Sequence, residues 1–194
     1  AQTKLDKTVS NILFGISSIP NFAIGLALAY LLGVKFDLLN PLGYVPISDG
    51  FGEHVKSMIM PVVSLSLGTI ATFTRLLRVD TISTLKEDFV TMASSKGLSN
   101  RWILWRHVFR PSSLTLLTSA ALTMASLIGG AVVIESVFAL NGFGMFLAMS
   151  IVVRQYLAIQ SLVAIVAIAF ILFNLIVDVL YAVIDPRVRN HRGA

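Results

Sequence analysis

Four long stretches without a charged residue constrain the fold of this chain more than any other feature. They run over Thr8–Val34, Ser57–Thr74, Pro111–Ile134 and Gln155–Val177. A helix needs roughly 20 residues to cross the hydrocarbon core of a bilayer, and each stretch is near or above that length. Strands of a membrane β-barrel are about half as long and alternate apolar with polar residues. The sequence therefore predicts an all-α, polytopic membrane protein with four transmembrane helices.

The composition supports this prediction. Hydrophobic residues make up 56 % of the 194 residues and charged residues only 13 %, whereas soluble globular domains carry roughly twice that charged fraction. We expect one transmembrane domain over residues 1–194, with spans at about 9–33, 55–77, 111–137 and 156–184. A signal peptide is a poor alternative for the first stretch, because its apolar run is too long and three more spans follow.

Basic residues are distributed unevenly between the two sides of the predicted membrane. With four crossings, 12 of the 15 lysines and arginines lie before the first span, between the second and third, or after the fourth. This asymmetry is typical of cytoplasmic segments, so both termini and the loop between the second and third spans are predicted to be cytoplasmic. The net charge of +5 then reflects membrane topology, and no nucleic-acid partner is expected. The chain has no cysteine, which excludes disulfides and thiolate metal sites.

The loop between the second and third spans, residues 78–110 and hereafter the central loop, is predicted to be folded. Apolar residues in its first half recur at helical spacing, namely Ile82, Leu85, Phe89, Met92 and Ala93. Gly97 fits the position just past a helix end, where a left-handed conformation is needed. Ser99 fits the N-cap of a second helix, Asn100–Arg110. The pattern indicates a helix–Gly–helix module.

Three interpretations of this module are open from its residues. Two amphipathic helices could lie on the inner leaflet, with tryptophan in the interface and arginine on phosphates. The interleaved arginines and tryptophans could form a nucleic-acid patch, although that is unusual in a membrane protein. The module could also be a docking element for a cytoplasmic partner.

The central loop resembles the EAA loop of ATP-binding-cassette importer permeases. Phe89–Leu98 followed by Leu104–His107 is similar to the dipeptide, oligopeptide and nickel version, which reads A-x-A-K-G-L and later L-W-R-H. Further similar segments follow in order along almost the whole chain, at Ile19–Gly25, Gly129–Phe138, Gly142–Gly144 and Asn174–Arg187. The sequence departs from the pattern where Thr91-Met92-Ala93 replaces Glu-Ala-Ala, where Asn141 replaces a common proline, and at Pro111, which comes one residue late.

The resemblance implies that the central loop docks on an ATPase subunit through a coupling helix. The residues that it assigns to this role are Phe89, Met92, Ala93, Ser94, Lys96, Gly97 and Leu98. It also implies the partners: two cytoplasmic ATPase subunits or domains, a homologous second permease, an extracytoplasmic binding protein and the bilayer. Such permeases usually have six spans, so two further spans are expected before Val9, and a four-span protein is the alternative.

The chain itself is expected to be a non-catalytic permease subunit. It lacks the phosphate-binding pattern G-x-x-x-x-G-K-[ST], so no cofactor is expected here, and ATP and Mg²⁺ would bind in the ATPase subunits. We expect transport of peptides or similar small solutes into the cell by alternating access. A secondary transporter or channel is the alternative, but such proteins typically carry more titratable groups inside their spans.

Polar residues within the spans are candidates for the transport pathway or its gate. Ser64, Thr69 and Thr72 belong to a stripe of small and hydroxylated residues in the second span, which favours close helix packing and could also line a polar path. Glu135 and Asp178 are the acidic candidates, each near a span end. Because a carboxylate facing lipid is costly, two interpretations of Glu135 are open. It accepts hydrogen bonds from the backbone of 139–144, or it lies at the outer mouth, where it shapes the gate or meets the amino terminus of a substrate.

Overall fold

The computed structural model describes the backbone of residues 4–184, and it describes the side chains in that range except at 125, 126, 128–130, 182 and 184. The regular structure in this range is helical, as predicted. Its helices are α1 Lys4–Ser17, α2 Asn21–Leu28, α3 Phe51–Thr84, α4 Asp88–Ser95, α5 Asn100–Trp102, α6 Phe109–Val137, α7 Phe143–Val152 and α8 Tyr156–Ile184. Wider π-helical turns extend α2 over Ala29–Lys35 and join α5 to α6 over Ile103–Val108, and a 3-10 turn covers Ile47–Asp49.

Two helices are long and apolar enough to cross a membrane, over Phe51–Thr84 and Tyr156–Tyr181. Helices α1 and α2 pass the same test as a broken pair, so the described residues contain up to three candidate spans. The third predicted span lies in α6, a helix of 29 residues that includes five of the side chains outside the description. A polytopic membrane fold is thus confirmed, while four spans remain a prediction.

The first predicted span, over 9–33, is broken into two helices. Helix α1 and the extended α2 are bent by 94°. Pro20 disfavours helical geometry at the residue before it, and the chain leaves α1 at Ser17. At this end the Phe14 carbonyl accepts the Ser18 N–H at 3.2 Å, and the hydroxyls of Ser17 and Ser18 each donate to the same carbonyl at 2.9 Å.

The central loop begins later than predicted, because α3 continues to Thr84. A short turn then leads to α4, with Lys86 N donating to the Ser83 carbonyl at 3.0 Å. Ile82 therefore belongs to α3, and Leu85 to the turn. The apolar spacing could not reveal this break, since both helices carry the same period. The predicted first loop helix is corrected to α4, Asp88–Ser95.

The helix that contains the third predicted span does not begin at Pro111. Helical structure runs without a gap from Asn100 to Val137, so Pro111 lies inside it and leaves the carbonyl four residues earlier without a donor. The π turn precedes this position, and the hydroxyls of Ser112 and Ser113 donate to the Val108 and Arg110 carbonyls, both at 2.8 Å. Both carbonyls lie close to the one at His107 that Pro111 leaves without a donor, and with the π turn these bonds support the helix as it passes through the proline.

The chain groups into two compact units. Residues up to 72 and 124–167 form the first unit, and 73–123 with the described residues from 168 onward form the second. The core of the first unit contains Met60, Ile134 and Phe138, all nearly or fully buried. Gly25 lets this core close, because a Cβ there would lie 3.2 Å from the Phe138 ring. The single domain predicted over 1–194 remains a prediction.

The second unit joins the beginning of α6 to the end of α8. The Arg110 guanidinium donates to the Val183 carbonyl at 3.3 Å, and the Tyr181 hydroxyl donates to the Leu114 carbonyl at 3.1 Å. Thr118 also lies in hydrogen-bond contact with the Tyr181 hydroxyl, at 2.8 Å. Residue numbers rise in one helix as they fall in the other, so α6 and α8 run antiparallel here. The bounds of α8, Tyr156–Ile184, are those of the fourth predicted span.

Candidate functional site

Helix α4 ends in a hydrogen-bonded left-handed turn at Gly97. Gly97 has a φ of +76°, its N–H donates to the Ser94 carbonyl at 3.0 Å, and the Leu98 N–H donates to the Ala93 carbonyl at 3.4 Å. These two bonds form the Schellman motif, in which glycine is favoured because a Cβ is strained at positive φ. The prediction of a helix end at Gly97 is confirmed.

The two halves of the central loop pack against each other. Val90 and Ala93 of α4 form a small buried cluster with Ile103 and Val108 of the π turn, and Leu98 packs against it. The Ser99 hydroxyl accepts from Trp102 N at 3.4 Å, which confirms the predicted N-cap. The loop is therefore a folded module with its own apolar core.

The predicted docking residues divide between the core and the surface of this module. Ala93 is buried and Leu98 is half-buried in the core. Phe89 and Met92 are exposed by 42 % and 60 %, and Ser94 and Lys96 are also exposed. The structure thus places Phe89 and Met92 on the outer face of α4, where a partner can reach them. Ala93 and Leu98 can influence docking only through the shape of the module.

The second half of the module presents a different surface. Ser99, Arg101, Trp102, Trp105 and Arg106 line an open groove of about 470 Å³. Ring contacts hold both indoles: Trp102 lies edge-on to His107 at 4.8 Å between ring centroids, and Trp105 lies tilted against Phe109 at 5.2 Å. We call these five lining residues the arginine–tryptophan groove.

The hydroxyls of the predicted polar stripe are bonded within their own helix. Ser64 is fully buried, and its hydroxyl donates to the Pro61 carbonyl at 2.8 Å. Thr69 and Thr72 donate to the carbonyls four residues earlier, at 3.2 and 3.0 Å. Ser64 thus packs inside this chain, whereas Thr72 is exposed. A pathway role for the stripe remains a prediction.

Glu135 binds the amino end of a helix that sequence reasoning missed. Its carboxylate accepts from Met145 N at 2.5 Å and from Gly144 N at 3.3 Å. These N–H groups belong to the first turn of α7, which has no side-chain cap of its own. A carboxylate there satisfies open donors and opposes the positive end of the helix dipole. Glu135 therefore acts as a backbone acceptor, as one of its two interpretations predicted, although the bonded groups lie in α7.

Two glycines leave the room that this contact requires. A Cβ at Gly142 would lie 2.3 Å from the carboxyl carbon of Glu135, and one at Gly144 would lie 2.8 Å from the Val132 side chain. Gly142 has a φ of −89°, which any residue can adopt, so space and not conformation makes glycine necessary there. The sequence signal was the segment Gly142-Phe143-Gly144, which could have been interpreted as a close approach.

Asp178 belongs to a different unit of the chain from the other pathway candidates. It is exposed on α8 within the second unit, whereas Ser64, Thr69, Thr72 and Glu135 belong to the first. Its predicted role remains a prediction. The segment at the end of the resemblance, residues 185–187, lies outside the described residues.

Comparison with known proteins places this chain in a transport family. Residues 1–190 match the family of the binding-protein-dependent transport system inner membrane component. The oligopeptide transport system permease protein OppB of Haemophilus influenzae is 38 % identical over 148 residues, covering 76 % of this chain and 48 % of OppB. The glutathione transport system permease protein GsiC of Escherichia coli K12 is 33 % identical over 172 residues, covering 89 % of this chain and 54 % of GsiC. The chain spans about half the length of the curated relatives that it matches.

The matched region contains every feature described above, from the broken α1–α2 pair to α8, and the resemblance read from the central loop is confirmed. The chain belongs to the family of binding-protein-dependent transport system inner membrane components.

Proposed function

We propose that this chain is the transmembrane pathway subunit of an ATP-binding-cassette importer for peptides or similar small solutes. The observation that carries the proposal is the central loop. It folds on its own apolar core and still leaves Phe89 and Met92 exposed on α4. Exposed apolar residues on a rigid, folded loop fit a docking surface for another protein. The names of the relatives OppB and GsiC, which specify oligopeptide and glutathione transport, support a peptide as cargo.

The proposed mechanism is alternating access driven from outside this polypeptide. Two cytoplasmic ATPase subunits bind ATP and Mg²⁺ and close, and α4 transmits that closure. The module can transmit force because the π turn and α6 continue it without a gap from Asn100 to Val137. Closure then shifts the spans between two states. A second, homologous permease supplies the other coupling loop, and an extracytoplasmic binding protein delivers the substrate.

The proposal includes the topology. The described helices supply up to three candidate spans, and α6 is proposed as the remaining one, which makes four in this chain. Twelve of the 15 basic residues then lie on the cytoplasmic side, as expected for a multi-pass protein of the bacterial cell membrane. In this arrangement the central loop faces the ATPase subunits.

Replacing the exposed residues of α4 tests the proposal. In a complex reconstituted with its ATPase subunits, Phe89→Ser and Met92→Ser are expected to lower substrate-stimulated ATP hydrolysis at least tenfold. Truncating buried interface anchors typically costs 2 kcal/mol or more, and 1.4 kcal/mol is a factor of ten. Insertion in the membrane should be unchanged, because neither side chain belongs to the loop core.

The matched control is Val79→Ser, which removes an apolar side chain that is 55 % exposed on α3, away from α4. This variant should retain stimulated hydrolysis. Wild-type stimulation in both α4 variants would remove α4 from the docking role. Ala93→Arg is less informative, because the structure buries Ala93 and the variant would unfold the module itself.

A further inference from the structure

We propose that the arginine–tryptophan groove binds the phosphate headgroup of an anionic phospholipid. Its volume of about 470 Å³ lies within the roughly 300–1,000 Å³ of small-molecule sites. Two arginines and two tryptophans line it, together with Ser99. Guanidinium forks match phosphate oxygens in geometry and charge. Indoles are favoured at the headgroup level, because one edge is polar and the rest of the ring is apolar.

The sequence around the groove is free of acidic residues. The sequence contains no aspartate or glutamate between Asp88 and Glu135. Lys56 and Glu53 form an ion pair, and among the residues that the structure describes neither Arg101 nor Arg106 takes part in one. Arg101 also lies in the first turn of the helical run, where the positive end of the helix dipole repels a cation. Its position therefore does not serve helix stability, and an anionic ligand would be attracted to both guanidinium groups.

The exposure of the two tryptophans indicates that the groove is covered by something other than water. Trp102 and Trp105 are exposed by 47 % and 64 %, although large indoles gain by leaving water. Their ring contacts to His107 and Phe109 hold them at the groove while leaving one face open. Water alone would not favour two fixed, exposed indoles beside two unpaired arginines, whereas the surface of a bilayer would.

The distance of the groove residues from Pro111 matches the depth of the lipid headgroups. Trp105 and Arg106 precede Pro111 by six and five residues, about 7–9 Å at the helical rise of 1.5 Å per residue. The polar layer on each side of a hydrocarbon core of about 30 Å is roughly 5–8 Å thick. A helix that enters the core near Pro111 therefore carries these residues at phosphate level. That this leaflet is the cytoplasmic one rests on the proposed function.

The two exposed surfaces of the module then have different partners. Helix α4 presents Phe89 and Met92, whereas the groove is formed entirely by residues beyond Gly97. Since Val90 and Ala93 of α4 pack on Ile103 and Val108, a lipid on one half would stabilise the position of the other. Lipid binding would thereby hold α4 at a fixed depth for its docking.

The two tryptophans make the test selective, because Trp102 and Trp105 are the only ones in the chain. The intact chain is reconstituted without ATPase subunits in phosphatidylcholine bilayers. A minor fraction of phosphatidylglycerol or phosphatidylcholine carries brominated acyl chains, which quench indole fluorescence on contact. We expect brominated phosphatidylglycerol to associate more tightly, by roughly fivefold for each arginine at the surface.

Three double variants complete the experiment, and the first two remove the same number of charges. Arg101→Gln with Arg106→Gln should abolish the preference for phosphatidylglycerol, whereas Arg75→Gln with Lys86→Gln, which removes two charges outside the groove, should keep it. Arg101→Lys with Arg106→Lys should retain most of it and shows that the site is still folded.

Four results would overturn the proposal. Equal quenching by the two lipids would show an interface without a headgroup site. Equal loss in both glutamine variants would show only general surface charge. Removal of the preference by inorganic phosphate would assign the groove to a free anion. Loss of quenching on addition of the ATPase subunits would assign it to protein contact. Because the comparison of the two lipids is made before any ATPase subunit is added, the lipid proposal can fail while the proposed function stands, and the proposed function can fail while lipid binding stands.

Discussion

The contact between Glu135 and α7 predicts that substitutions at Glu135 and Gly142 are strongly coupled in their effect on stability. Glu135→Ala removes the acceptor for Gly144 N and Met145 N. Hydrogen bonds to charged groups contribute about 1.5–3 kcal/mol each, and the longer of the two contributes less. We expect Glu135→Ala to lower the free energy of unfolding by about 2–4 kcal/mol. Glu135→Gln keeps one acceptor but turns an NH₂ toward a donor, so about half of that loss is expected.

Gly142→Ala should cause a similar loss through the same contact. Its Cβ would lie 2.3 Å from two atoms of the Glu135 carboxylate, so that carboxylate must leave α7. The backbone adds no strain, because φ is −89°. The double variant, Glu135→Ala with Gly142→Ala, should therefore cost little more than either single change. A coupling energy of about 2 kcal/mol is expected, within the range for residues in contact.

The measurement is chemical unfolding of the four proteins of this cycle in detergent, followed by circular dichroism. The control is Gly15→Ala in α1, where a Cβ meets nothing within 4 Å, and it should not destabilise the chain because alanine favours helices. Strictly additive losses, or a Gly142→Ala variant as stable as the wild type, would refute the reasoning. Uptake of a peptide and its N-acetylated form by Glu135→Gln then separates the two roles, since an equal change for both forms excludes recognition of the amino terminus.

Three further changes test other parts of the structure. Gly97→Ala should lower the stability of the loop by about 1–2 kcal/mol in tryptophan-detected unfolding, because the φ of Gly97 is +76°. Gly97→Asn should cost less, and equal costs for the two variants would argue against the left-handed turn. Asp80→Asn should not destabilise the protein, since Oδ2 of Asp80 is buried without a hydrogen-bond partner among the described residues. Asp88→Asn, at an exposed residue, is its control. A clear loss of stability for Asp80→Asn alone would contradict this prediction. Because the chain has no cysteine, Ser48→Cys should react with an impermeant thiol reagent outside intact cells and Lys86→Cys should not; labelling of the latter would reverse the proposed topology.

Features of this protein that depend on neighbouring residues could be predicted from the sequence. The bounds of α8 follow from one long apolar run in which Asp178 is the single charged residue, and the structure has the same ends, Tyr156 and Ile184. The turn at Gly97 and the cap at Ser99 were also predicted, because each involves bonds across at most five residues. Local backbone chemistry determines such features, whatever lies around them.

Other features were decided only by tertiary structure. The helical period continues through Ile82–Ala93, so it could not show the turn between α3 and α4. Pro111 normally starts a helix, but here a π turn and two serine hydroxyls carry the helix through it. In each case the local signal is compatible with two structures, and packing with its hydrogen bonds selects one.

The site at Glu135 illustrates the same limit. The sequence predicted that its carboxylate must face protein or water, because lipid would penalise it. It could not specify the partners, since these are N–H groups of α7, a ten-residue helix too short and too uniformly apolar to have a periodic signal. The space at Gly142 and the first turn of α7 come together only when α6 and α7 pack. The charge pattern thus determined that Glu135 needs a partner, and the folded backbone decided which partner it has.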